Sequence, residues 1–237
     1  MNDLTRAGLD DLVLANRILA HNNVLDGFGH VSLRSPSNPE HFFLSRSLAP
    51  GIVTVDDLVE FDLASDPVTP ETRKLYLERY IHGEIYRRRP DVQAIVHSHS
   101  ATVVPFTVSS VPLKPIYHMA GFLADGAPIF DIAERFGPTD MLVTCHEHGA
   151  ALAESLGGAA ISLMRGHGFV AVGSSLQIAV YRAIYTQQNA ALLETAINLG
   201  GDIHFLAPEE GRLADQSIQT VMQRPWGLWA AQVQDEL

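Results

Sequence analysis

The chain has 237 residues, 16 Lys+Arg against 27 Asp+Glu, and a formal net charge of −11. With no basic excess to release counterions from a phosphate backbone, nucleic-acid binding is disfavoured. Hydrophobic residues are 46% and charged residues 18%, too apolar for a disordered chain and enough for a real core, so the expectation is one α/β domain over 1–237 with a C-terminal extension from about 202.

The one cysteine, Cys145, excludes a disulfide framework and a cysteine-rich zinc site. The opening Met1-Asn2-Asp3-Leu4-Thr5-Arg6 has no basic-then-apolar leader. No window reaches the roughly 18 apolar residues of a membrane span. A soluble cytoplasmic protein is expected. Eleven histidines direct the search for chemistry.

In chain order, Leu9, Leu12, Val13, Ile18 and Leu19 recur near helical spacing and predict a helix over 5–22. Val31-Ser32-Leu33, Phe42-Phe43-Leu44 and the alternating 58–63 segment read as three strands. Pro70 precedes a second helix, predicted over 71–88. The apolar run 92–96 is the most strand-like of the chain and ends in His97-Ser98-His99. A short helix at 101–107, extended pieces at 113–118 and 127–132, and a helix at 149–156 follow. Strand-like runs at 159–164 and 169–172 flank Arg165-Gly166-His167-Gly168. A long helix over 175–199 stops at Gly200-Gly201. The rest reads as a loop, a short helix near 214–223 and a tail with Trp226 and Trp229. Hairpin-like strand pairs among helices favour an α+β or three-layer α/β/α domain over a doubly wound parallel sheet.

In a strand, residues i and i+2 share a face, so the imidazoles of His97 and His99 project together. That geometry suits a metal ion, and it equally describes two hydrogen-bonded surface histidines. His167, between two glycines that permit close backbone approach, supplies a third nitrogen. Three His leave room for a carboxylate, water or substrate. Glu78 is preferred as that carboxylate over Glu71, which has a capping reason to exist, and Glu84, which lies about 600° further round a helix. His146-Glu147-His148 sits at a helix start, where i and i+2 diverge, and reads as a surface or supporting pair. His82, four residues after Glu78, is a candidate support for it. His21, His41, His204 and Cys145 carry no argued role.

These residues resemble the class II aldolase/adducin family over roughly 8–200. The likeness rests on Glu78, the helix end Tyr86-Arg87-Arg88-Arg89-Pro90-Asp91-Val92, Ala94-Ile95-Val96-His97-Ser98-His99-Ser100, and Arg165-Gly166-His167-Gly168. It implies a three-layer α/β/α sandwich with a mostly antiparallel central sheet, and a homotetramer with sites near subunit interfaces. It also implies one divalent metal ion per subunit, Mn²⁺ or Zn²⁺, on His97, His99, His167 and Glu78.

The departures are informative. Asp26-Gly27-Phe28-Gly29-His30-Val31-Ser32 replaces the small-residue phosphate loop of the sugar-phosphate aldolases, and bulky Leu75-Tyr76-Leu77 replaces their Ser-Ser pair before the acid. A phosphate needs several donors, so a substrate without phosphate is expected. Phe28-Gly29-His30, Ser45-Arg46-Ser47 and Tyr117-His118-Met119-Ala120-Gly121-Phe122 resemble the decarboxylase branch, which acts on hydroxyphthalate-type and hydroxypyridine-dicarboxylate acids. Arg46, with Ser45, could hold a substrate carboxylate. Phe28, Tyr117 and Phe122 could sandwich a ring. Glu78, His30 and His118 are the candidates for delivering a proton. The alternatives are an aldolase or epimerase on a hydroxy-carbonyl compound, and a non-catalytic adducin-like interaction module. The expected partner is a small carboxylic acid, with no nucleic acid and no membrane.

Overall fold

The computed structural model describes residues 3–234, with side chains over 6–233; residues 1–2 and 235–237 of the expected domain lie outside the described residues. Helix α1 (Asp3–His21) buries Leu9, Leu12, Val13, Ile18 and Leu19, as the spacing requires. Each such burial contributes about 1.5–3 kcal/mol relative to exposure. Seven strands follow: β1 (His30–Arg34), β2 (His41–Ser45), β3 (Leu58–Asp62), β4 (Ala94–Ser98), β5 (Ile129–Phe130), β6 (Ile161–Met164) and β7 (Gly168–Gly173). They form one sheet in the order β3-β2-β1-β4-β7-β6-β5. Neighbours are antiparallel except β5 and β6, which run parallel.

Alternation along the strands feeds two apolar layers. Val31, Val96, Phe169 and Ala171 pack on one face with α1 and the long helix α6, counted after α2 (Arg79–Arg88), α3 (Val104–Val108), α4 (Ile132–Phe136) and α5 (His146–Leu156); α6 is Leu176–Leu199. Phe42, Ile95, Val170 and Val172 pack on the other face against Ile81, Ile85 and Tyr86 of α2 and Ala151, Leu152 and Leu156 of α5. The result is the expected α/β/α sandwich around a mostly antiparallel sheet.

Four expectations are corrected. The helix predicted over 71–88 begins only at Arg79. Glu71 accepts the Arg73 N–H at 2.7 Å and holds its guanidinium, while the Lys74 carbonyl accepts from the Ser47 N–H at 2.8 Å, so 71–78 spends its polar groups as a loop. The 113–118 piece joins no strand, and His118–Leu123 is a 3₁₀ turn. Of the extended piece 127–132, only the two residues of β5 pair. The C-terminal stretch is two helices, α7 (Pro208–Gln219) and α8 (Gln223–Gln234). Pro208 opens α7, where its missing N–H costs nothing, and the Glu210 carboxylate accepts the Ala207 N–H at 2.7 Å. Trp226, Trp229 and Val233 of α8 join the α1–α6 core.

Candidate metal centre

The start of β1, the end of β4 and the start of β7 meet at one end of the sheet, with His30 paired to His97 and His97 to Val170 in register. His97 is fully buried on β4, and His99 follows two residues later just past its end. Gly168 lets β7 approach this end: a Cβ there would strike the Ser98 carbonyl oxygen and meet the His99 Cα at 3.0 Å. Gly166, at φ +61°, turns the chain so that His167 enters from the β6–β7 bend. Glu78 stands at the N-terminal end of α2, where the helix favours negative charge, with its carboxylate free of any bond to the helix's own first turn.

Their ligating atoms lie within 4.8 Å of one another. His99 Nε2 is 2.9 Å from His97 Nε2 and 3.0 Å from His167 Nε2; Glu78 Oε2 is 3.5 Å and 3.6 Å from the latter two. The backs of the ligands are anchored to main chain. His97 Nδ1–H donates to the Phe169 carbonyl at 3.2 Å and His167 Nδ1–H to the Met141 carbonyl at 3.0 Å. Glu78 Oε1 accepts the Val143 N–H at 3.0 Å. With Nδ1 protonated, the Nε2 atoms of neutral His97 and His167 present lone pairs inward. A single Nε2–H on His99 satisfies one of them. In that all-neutral state the remaining lone pairs face a carboxylate with no donor between them, an arrangement that a proton on His167 or a cation resolves.

The electrostatics agree. Burial alone would raise the Glu78 carboxyl, but hydrogen bonds from His167 and His97 and their charge hold it far below the usual carboxylate range. Burial, with His97 and His167 alongside, pushes His99 down to about 4. Burial alone would lower His167, but the Glu78 carboxylate held against it raises it, so the site offers an ionised acid whose charge a proton on His167 or a bound cation balances.

A cavity of about 410 Å³ opens beside these ligands, lined by His30, Lys74, Leu75, Tyr76, Leu77 and Leu142 among others. Phe28 stands at its rim, 71% exposed, its ring 6.4 Å from that of His99. The structure thus brings together Glu78, His97, His99, His167, His30 and Phe28. It places the other candidates elsewhere. Arg46 lies beside Asp57 because β2 and β3 pair Ser45 with Leu58; its Nε donates to the Asp57 carboxylate at 2.7 Å. Ser45 is buried on β2 behind Tyr76 of the cavity wall. Tyr117 and Phe122 pack on the α6 side, with Tyr117 6.4 Å from Tyr185 and Phe122 6.2 Å from Tyr181, and His118 is exposed. His82 turns to His30 rather than to Glu78. His146 Nδ1 is 2.8 Å from Glu84 and His148 Nδ1 donates to the Leu142 carbonyl, so this pair fastens α5 and the 141–143 loop.

Sequence reasoning missed that loop. Met141 takes φ +69°, uncommon for a side chain of its size, and turns its carbonyl to His167. Its contribution is made by main-chain atoms and leaves no residue-type signal. It also missed Lys74, which lines the cavity wall from the 71–78 loop.

The model of the class II aldolase and adducin N-terminal domain matches residues 10–193. The chain belongs to this family. It is 40% identical to "Decarboxylase tropJ" of Talaromyces stipitatus over 92% of this chain and 90% of that protein. It is 30% identical to "3,4-dihydroxyphthalate decarboxylase" of Arthrobacter keyseri over 86% and 84% of the two chains. Among solved structures, "L-fuculose 1-phosphate aldolase from Glaciozyma antarctica PI12" shares the fold, with a TM-score of 0.80, 22% identity, and coverage of 98% of this chain and 91% of that one. Within the class II aldolase family the relatives over most of the chain mark it as a lyase of the carboxy-lyase kind. No helix among the described residues is long and apolar enough to cross a membrane.

Proposed function

We propose that the chain is a divalent-metal-dependent, non-oxidative decarboxylase of a hydroxylated aromatic or heteroaromatic carboxylic acid, of the hydroxyphthalate or hydroxypyridine-dicarboxylate type. The carrying observation is the convergence of His97, His99 and His167 Nε2 with Glu78 Oε2 beside an open cavity. Mn²⁺ or Zn²⁺ fits this donor set by ligand type. When bound there, such an ion supplies Lewis-acid stabilisation of the negative charge that loss of CO₂ leaves on the substrate.

The chain's own groups support the rest. Leu75, Tyr76 and Leu77 give the cavity an apolar wall suited to a ring and poor in the donors that a phosphate requires. Lys74 has no side-chain ion pair among the described residues and lines the same wall, so it replaces Arg46 as the partner for a second carboxylate. Glu78 is ionised and begins the cycle as an acceptor. It takes the proton of the ring hydroxyl when substrate binds, and returns it to the ring carbon as CO₂ leaves, so one C–C bond is exchanged for one C–H bond. The cytoplasm and a homotetramer complete the reading.

The test pairs elemental analysis of purified protein with a CO₂-release screen over ortho-hydroxy aromatic and pyridine acids, each beside its deoxy analogue. Release from the hydroxy acids alone, lost with His97→Ala, His99→Ala and His167→Ala, is expected. Undiminished release by the metal-free triple variant would refute it.

A further inference from the structure

His30 and Ser32 lie two residues apart on β1 and share a face; His82 and Tyr86 lie four apart on α2 and face that strand. Two strand residues span about 6.7 Å and four helical residues about 6 Å, so the two pairs come into register. A continuous chain of contacts results. His30 Nδ1 is 2.6 Å from His82 Nε2, His82 Nδ1 is 2.6 Å from Ser32 Oγ, and Ser32 Oγ is 2.8 Å from the Tyr86 hydroxyl. All four residues are buried, and Phe42 covers His82 and Tyr86 at ring distances of 6.2 Å and 5.3 Å. At one end His30 lines the cavity beside the ligands, with its ring 5.0 Å from that of His97; at the other, Tyr86 borders a separate cavity beside Arg34 and Gln93.

Each neutral member carries one mobile hydrogen, and each contact accommodates one. The hydrogens therefore all point the same way, in one of two senses. In the first, Tyr86 donates to Ser32, Ser32 to His82 Nδ1, and His82 Nε2–H to His30 Nδ1, which leaves His30 an Nε2–H for the cavity. In the second, His30 presents a bare Nε2, and the Tyr86 hydrogen turns to the Gln93 carbonyl at 3.5 Å, the margin of a hydrogen bond. A substrate whose polar atoms are carboxylate and phenolate oxygens is all acceptor, and selects the first sense.

We propose that His82, Ser32 and Tyr86 are positioning residues that hold His30 as a neutral hydrogen-bond donor, Nε2–H toward the oxygen on which negative charge develops. The identity of that oxygen rests on the decarboxylase reading; the tautomer does not. Burial pushes His82 down to about 3, so it stays neutral, and burial raises the Tyr86 hydroxyl, so the chain orients a hydrogen without releasing one. A neutral imidazole can stabilise an oxyanion without becoming an acid.

The experiment uses Zn²⁺-loaded protein labelled with ¹⁵N-histidine, alone and with phthalate, which lacks the ring hydroxyl and so does not react. The ring nitrogens of His30, assigned by comparison with His30→Asn, should show a protonated Nε2 and a bare Nδ1. In turnover, Ser32→Ala should lower kcat by about tenfold or more with KM little changed, as loss of supporting hydrogen bonds does, and should mix the tautomers. His82→Gln, which keeps an N–H for His30, should retain more activity than His82→Ala. A bare His30 Nε2 overturns the proposal, as does Ser32→Ala with both tautomer and kcat unchanged. If phthalate leaves the spectrum unmoved, the substrate class fails, and the tautomer of the protein alone still decides the positioning role.

Discussion

Replacing Glu78 by glutamine changes one carboxylate oxygen into an amide nitrogen and little else in shape. In the wild type, Oε2 faces His97 and His167 Nε2 at 3.5 and 3.6 Å. The glutamine carbonyl can still accept the Val143 N–H, and its amide then offers two hydrogens to imidazole lone pairs that otherwise face an acid. Two neutral hydrogen bonds, at about 0.5–1.5 kcal/mol each, offset the lost attraction to a protonated histidine. The metal-free variant should therefore match wild type within about 1 kcal/mol. With a divalent ion the outcomes separate. At a concentration of 100 Kd the wild type gains about 2.7 kcal/mol. A variant bound 100-fold more weakly gains about 0.4 kcal/mol. The difference of about 2.3 kcal/mol corresponds to roughly 5–9 °C in Tm for a chain of this length. Thermal melts of both proteins in chelator and across titrations of Mn²⁺ and Zn²⁺ measure it. If Glu78→Gln is destabilised in chelator by several kcal/mol yet gains the full wild-type increment with metal, Glu78 is a structural acid and the four-ligand reading is wrong.

Three further outcomes follow from particular contacts. His82 has its pKa pushed down to about 3 by burial, so below about pH 6.5 the unfolded chain binds a proton that the folded one refuses. Stability is then lost as pH falls: from pH 7 to pH 5 this group costs about 2 kcal/mol, and urea titrations in chelator should show that share of the slope missing in His82→Gln. Lys74→Met should raise KM severalfold for ring dicarboxylates and leave it unchanged for monocarboxylates, with kcat similar for both; an equal effect on the two classes would remove Lys74 as a carboxylate partner. Gly168→Ala forces a methyl into the Ser98 carbonyl and should cost about 1–3 kcal/mol or more while weakening metal binding through His99 and His167; an unperturbed melting curve would contradict the close β4–β7 approach.

The legible part of the site was the part carried by side-chain type on regular structure. His97 and His99 announced themselves through strand alternation, and His167 through its flanking glycines, because both signals act within a few residues. The surroundings of Arg46 were not legible for the opposite reason: the β2–β3 register sets it beside Asp57 eleven residues on, a pairing that no local pattern reports. His82 was read as support for Glu78 on helical spacing. The helix starts after Glu78, so that spacing did not exist, and the true partner stood on β1. Met141 and Val143 act through a carbonyl and an N–H, which every residue type possesses.

The misread helix bears directly on chemistry. On an α-helix, residues three or four apart share a face, so 74, 75 and 78 could reach one cavity while 76 and 77 turned away. As a loop, Lys74, Leu75, Tyr76, Leu77 and Glu78 all line the same space. Five consecutive side chains thus give a cation, an apolar wall and a ligand acid from a single stretch. Chains that share this fold and bear sugar-phosphate aldolase names keep the same sheet and sandwich, so the backbone scaffold does not choose the reaction. The choice falls to segments free to vary without disturbing the core. The 74–78 loop is such a segment: it touches the cavity along its whole length, and Leu77 is largely exposed. A change of substrate class should follow from exchanging this loop, while exchange of the buried β4 and β7 positions should cost the fold.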